Sequence, residues 1–156
     1  MYFVIVILLM GVLPAVSILV EFVGLHGGAD LPLLIAKWFV FWSVGVRLLL
    51  AGLRQIANPA FTAETIFDIK EGAALPIVRE LGFANLSIGL LGALALFVNA
   101  WIAPAALVGG LFYGLAGAQH ALKRERNGAE TVAMVSDLFI FLVLAGDLAA
   151  LMLHRA

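Results

Sequence analysis

The sequence contains no cysteine. Disulfides, thiolate metal sites, covalently attached c-type haem and thiol–disulfide chemistry are therefore excluded. Charge is almost as scarce. Asp, Glu, Lys and Arg make up 12% of the 156 residues, about half of what a soluble globular chain carries. Nine basic residues against ten acidic ones give a net charge of −1, which leaves no cationic excess to meet the phosphates of a nucleic acid. What the chain has in abundance is apolar surface. It is 64% hydrophobic, with a mean hydropathy of +1.13, and so few charges cannot cover a water-exposed domain of this size.

A membrane-crossing helix needs about 20 predominantly apolar residues to span roughly 30 Å of hydrocarbon. Five stretches meet that requirement: Tyr2 to Val23, Leu33 to Leu53, Leu81 to Val98, Ile102 to Ala121 and Val132 to Leu153. The first has no basic residue ahead of its apolar core, which outruns the roughly 7–15 residues of a secretory signal. It reads as a retained span. The expected fold is all-α: a polytopic membrane helical bundle of five transmembrane helices, forming a single integral membrane domain over residues 1–156.

The links between spans differ in kind. Gly24 to Asp30 is a glycine-rich turn, Asn99-Ala100-Trp101 with Pro104 behind it makes a tight hairpin, and Lys123 to Gly128 is a charged loop. The long link, residues 56–76, contains Asn58-Pro59, Gly72 and Pro76. Thr62 is placed to cap a short helix, Ala63 to Glu71, whose Ile66 and Ile69, with Ala73 beyond it, share one face. That pattern predicts a helix lying in the interface plane. Arg54, Lys70, Arg79, Lys123, Arg124 and Arg126 fall on one side of the bundle, and only Lys37 and Arg155 on the other. Because cytoplasmic loops carry the excess of basic residues, the N-terminus is expected inside and the C-terminus outside.

Position along a span converts to depth at about 1.5 Å per residue. Arg47 lies about 10 Å inside Arg54, Asn85 about 8 Å beyond Glu80, and Asp137 about 10 Å beyond Glu130. Arg47, Asn85 and Asp137 thus share one layer on the cytoplasmic side, with Arg54, Glu80 and His120 nearer the water. Opposite charges at matched depth predict that Arg47 pairs with Asp137. A thinner external set comprises Glu21, Lys37 and Asp147. Glu21 and Lys37 can meet across the glycine turn, and Asp147 either joins them or sits among headgroups with His154. An ionisable group inside the bilayer costs roughly 2.5–3.5 kcal/mol on insertion scales and normally turns toward a partner in the bundle. Two readings of the cytoplasmic layer stand side by side. Its groups are polar glue fixing helix register, or they line a pocket for a lipid headgroup, a quinone ring or a small anion.

The three histidines do not meet at one depth, so neither haem nor a metal is expected. His120 is placed to cap the C-terminus of the fourth span, where a cation meets the helix dipole. Gly110, Gly114 and Ala118 in the fourth span, and Gly89 and Ala93 in the third, form small-residue stripes. These predict that spans three and four pack closely as a hairpin. Trp38, Trp42, Trp101 and Tyr2 suit aromatic belts, with Trp42 deep enough to line a cavity.

Three short motifs carry a resemblance: Arg47-Leu48-Leu49-Leu50-Ala51-Gly52-Leu53-Arg54-Gln55 running into Asn58-Pro59; Arg79-Glu80-Leu81-Gly82-Phe83-Ala84-Asn85 followed by Gly89 and Gly92; and Asp137-Leu138. On these residues the stretch 33–153 resembles the DoxX-like family of small bacterial four-helix membrane proteins. Residues 1–24 form an additional N-terminal span, and Arg54 stands where DoxX-like chains usually have Lys. The resemblance implies a four-helix unit with an interfacial segment at 56–76, located in the bacterial inner membrane. Some DoxX-like proteins are membrane subunits of quinone-linked oxidoreductases. Arg47, Arg54, Glu80 and Asp137 are the residues that match.

Three functions are consistent with this sequence. The first is an accessory or anchor subunit whose pocket at Arg47, Arg54, Glu80, Asn85, His120 and Asp137 binds a quinone or a lipid headgroup. Any redox centre would then come from a membrane partner, since this chain supplies no cofactor ligands. The second is a proton or small-solute transporter using Asp137, Arg47 and Glu80, which would need a polar path through the wholly apolar stretches Leu90 to Leu96 and Phe139 to Leu144. The third is a structural assembly factor. Catalysis by this chain alone is not expected, because it has no HExxH, no His-rich diiron pattern and no Ser/His nucleophile pair in one layer. The expected partners are the lipid bilayer and either a membrane redox protein or a further copy of the chain.

Overall fold

The computed structural model describes residues 2–27, 30–70 and 72–153. Among them there is no strand, and five helices are long and apolar enough to cross a membrane: span one, Phe3–Gly24; span two, Leu31–Ala57; span three, Gly72–Leu94; span four, Asn99–Leu122; and span five, Gly128–Leu153. The chain is an all-α, multi-pass membrane bundle. Successive spans alternate in direction, so the long link and the 123–127 loop lie together at one end, called here the basic end. Outward-facing side chains are apolar, with Leu115 71% and Leu142 67% exposed, a surface suited to lipid rather than water.

Four of the five prolines, Pro32, Pro59, Pro76 and Pro104, stand in the first turn of a helix, where a missing N–H has no intrahelical partner to lose. Asp30 caps span two by accepting from the Leu33 amide at 3.4 Å. Pro14 differs from the other four because it lies inside span one. It cannot close a bond to the Met10 carbonyl, and the turn before it, Leu8–Val12, widens into π-helix. Span two widens likewise at Val40–Val46. The two wide segments meet, and the carbonyls there find side-chain partners. The Ser43 hydroxyl donates to the Leu9 carbonyl at 3.3 Å, and the Tyr113 hydroxyl of span four donates to the Ser43 carbonyl. Trp42 donates its indole N–H to Ser17 at 3.0 Å and is absent from the walls of the two cavities described below.

Close packing follows the glycines, though not between the spans expected. A Cβ on Gly52 would lie 2.6 Å from the Leu86 amide nitrogen, one on Gly89 2.5 Å from that of Leu49, and one on Gly92 2.6 Å from that of Gly45. These residues let the backbones of spans two and three touch. In span four, Gly114 and Gly117 make room for Phe141 and Leu138 of span five. The seams are therefore two–three and four–five. The hairpin of spans three and four is the looser contact, because a small-residue stripe fixes how near a neighbour comes and not which neighbour it is.

Element boundaries also shift. Span two starts at Leu31 and runs to Ala57, and the regular helix of span three covers Leu75–Leu94 rather than 81–98. Pro76 opens that helix, and its early turns tolerate Arg79 and Glu80 because they lie toward water. In the long link the helix is Pro59–Thr65, with Asn58 as its cap. The expected helix, Ala63 to Glu71 capped by Thr62, does not form: Asp68 takes a left-handed φ of 56°, which a helix cannot continue through. Pro59, Thr62, Ala63 and Ile66 are buried, and this segment packs onto span three. Expectations on Gly28, Ala29, Glu71, His154, Arg155 and the Tyr2 side chain lie outside the described residues.

Span one is part of the bundle rather than an appendage. Its Val6, Leu9 and Met10 join Val40, Val44, Leu48, Tyr113, Ile140 and Leu144 in one core. The buried stripe of span five reads Glu130, Ala133, Asp137, Ile140, Leu144, Asp147, an alternation of three and four that keeps one face on neighbouring helices. It turns three carboxylates inward, the second about 10 Å and the third about 25 Å along the helix from the first.

Candidate functional site

In the basic half, all five spans and the long link enclose a cavity of about 510 Å³. Most of its wall is apolar, supplied by Val6, Leu48, Ile66 and Phe112 among others, and the polar side chains converge from four spans. Arg47, Arg54 and Gln55 come from span two, Asn85 from span three, Gln119 and His120 from span four, and Asp137 from span five. The backbone contact at Gly52 and Gly82 brings spans two and three together here. Across it, the Asn85 side-chain amide donates to Gln55 Oε1 at 2.7 Å. Both residues are buried, and Asn85 Oδ1 is left with no hydrogen-bond partner. Asp137 is buried on the cavity wall, close enough for the opposite charge of Arg47 to act on it. Arg54, nearer the mouth, lays its guanidinium 3.4 Å from the centroid of the Phe61 ring, a cation–π contact that leaves the edge of its fork available.

A second polar layer closes the basic end. Glu130 is only 2% exposed. Its carboxylate accepts from Lys123 Nζ at 2.9 Å and lies 3.2 Å from His120 Nδ1. His120 stacks on Phe67 of the long link, ring centroids 6.2 Å apart, and Phe67 is itself part of the cavity wall. Asn127 caps span five by accepting from the Glu130 amide at 2.8 Å, and its own amide donates to the Thr65 carbonyl at 3.1 Å. The link is thereby tied across the cavity mouth. Arg126 donates to the carbonyls of His120, Ala121 and Lys123 and closes the last turn of span four. It fills the capping role expected of His120, whose ring turns inward to Glu130 instead.

At the opposite end Glu21 accepts from Lys37 Nζ at 2.8 and 2.9 Å and from the Trp38 indole at 2.7 Å. Asp147 does not join this group. It is buried in a separate groove of about 670 Å³ between spans one, two and five.

Of the expected pocket residues, Arg47, Arg54, Asn85, His120 and Asp137 meet at the cavity. Glu80 does not: it is exposed on span three and absent from the wall. Gln55, Tyr113, Gln119 and Glu130 were not among the expected pocket residues. Glu130 had a readable signal, seven residues before Asp137, a spacing that keeps two residues on one helix face. Among the described residues no three His, Asp or Glu side chains converge as a metal site would require. The cavity thus sets a few polar side chains against a largely apolar wall. No curated protein and no solved structure matches the chain. One family profile does match, over residues 1–155 and so across all five spans, and on that coverage the chain belongs to DUF6790, a family of unknown function.

Proposed function

We propose that this chain is an accessory or anchor subunit of the bacterial inner membrane that binds the polar head of a membrane-borne amphiphile, a quinone or a lipid, in the cavity of its basic half. The basic end faces the cytoplasm in this reading, as its excess of Lys and Arg requires, which puts the N-terminus inside and the C-terminus outside. The observation that carries the proposal is the wall itself: a largely apolar cavity of ligand size with a few convergent polar groups. Arg47 and Arg54 supply donors for carbonyl or phosphate oxygens, and Asn85 Oδ1 is an acceptor with nothing yet to accept from. Binding is favoured over transport because Ile140 and Leu144, both fully buried, fill the core beyond Asp137. The likeness of residues 33–153 to DoxX-like subunits belongs to the same reading, and a partner would bring any redox centre.

Mass spectrometry of lipid extracts from purified protein tests this proposal. The protein should carry a quinone or one phospholipid class at near-stoichiometric level, and Arg47→Ala should lower that level at least about tenfold, the loss of one charge-assisted contact of roughly 1.5–3 kcal/mol. Asn85→Leu should do the same without removing a charge. If neither variant changes the bound material, the cavity is only part of a scaffold.

A further inference from the structure

We propose that the groove between spans one, two and five is a second binding site, separate from the cavity of the basic half, for a lipophilic amine that enters from the bilayer. Asp147 sits in this groove only 8% exposed, and its Oδ2 has no hydrogen-bond partner. The rest of the wall is apolar, including Ile18, Phe22, Ile35, Phe39 and Val143. A carboxylate in such surroundings is costly unless an opposite charge meets it. The basic residue that span two brings to this end, Lys37, is already held by both oxygens of Glu21. Among the described residues none supplies a counter-charge to Asp147, and a bound cation can.

The groove has the shape for one. Its volume of about 670 Å³ is that of a small-molecule site. A Cβ built on Gly146, which lines the same groove, would meet nothing within 4 Å, so the groove is open at that point of its wall. An alkylammonium satisfies both features at once. Its head pairs with Asp147, its apolar body lies along the hydrophobic wall, and the rings of Phe22 and Phe39 suit a cation lying near their faces. A neutral alcohol of the same length would fill the groove without supplying the charge.

The test is a titration of the purified full-length protein in detergent micelles with dodecylamine and, separately, dodecanol, read by native mass spectrometry. Dodecylamine should bind saturably at one copy per chain and at least tenfold more tightly than dodecanol. Asp147→Asn keeps the shape and removes the charge, and it should weaken dodecylamine at least tenfold. Because it takes an unpartnered carboxylate out of an apolar groove, this variant should fold at least as well as the parent, which a thermal melt checks. Gly146→Leu fills the open space and should weaken both probes. Glu125→Gln removes an exposed loop carboxylate and should leave both unchanged. Equal binding of amine and alcohol overturns the proposal. So does amine binding that survives Asp147→Asn, and so does a change in oligomeric state on Asp147→Asn with amine affinity intact.

Discussion

Replacing Gly89 by alanine adds one methyl group at the seam between spans two and three, and its cost can be worked from the structure. The new Cβ would stand 2.5 Å from the Leu49 amide nitrogen and 3.0 Å from the Gly45 carbonyl oxygen. Both are backbone atoms of a helix, so neither can rotate away, and the spans must separate by several tenths of an ångström. Overpacking of this kind costs about 1–3 kcal/mol, against a gain of up to about 1 kcal/mol from exchanging glycine for alanine in a helix. A net loss of about 1–2 kcal/mol is expected. Gly110→Ala is the internal control. Its Cβ would meet Leu144 Cβ at 3.5 Å, ordinary contact, so the helix gain should survive and the variant should be neutral or stabilised by up to about 1 kcal/mol. The two variants should therefore differ by about 1–3 kcal/mol, or roughly 2–12 °C in melting temperature for a chain of this size, in thermal unfolding of detergent-solubilised protein. Equal melting temperatures would refute the assignment of the tight seam to spans two and three.

The lack of native cysteine makes orientation a clean measurement. Leu25→Cys should react with a membrane-impermeant maleimide in intact spheroplasts and Glu125→Cys only after lysis, and the reverse pattern would place the basic end outside. Asn127→Ala removes both the cap of span five and the tether to the Thr65 carbonyl. It should cost about 1 kcal/mol and speed proteolysis within residues 58–70, and unchanged cleavage would mean that the link is held by its buried face alone.

How much could be read from the sequence depended on whether the question concerned height or direction around a helix. Height is fixed by a rise that hardly varies, and the three residues it assigned to one layer, Arg47, Asn85 and Asp137, line one cavity. Direction needs a second residue on the same face. Arg47 and Arg54, Tyr113 and His120, and Glu130 and Asp137 are each seven residues apart, nearly two full turns, so each pair points the same way. Glu80 and Asn85 are five apart, about 140° around the helix, which is why matching them by depth alone brought an exposed residue into the pocket. The glycine stripes failed for a similar reason. Gly89 declares that some backbone comes near, and only the assembled bundle shows that it belongs to span two. The link was misread at its first residue: Asn58 outcompetes Thr62 as a cap because Pro59 already holds the φ that a first helical residue needs.

The three inward carboxylates of span five show where such reading must stop. They occupy one stripe of one helix, and nothing in span five itself distinguishes their surroundings. Glu130 is met by Lys123 and His120 and becomes a clasp at the water boundary. Asp137 faces the charge of Arg47 on the wall of a cavity, where two groups that partly offset one another can still address a ligand. Asp147 has no such neighbour among the described residues, and Lys37, the basic residue that span two brings to this end, is held by Glu21. The difference lies in how the other spans deliver their cations, a property of the packed bundle.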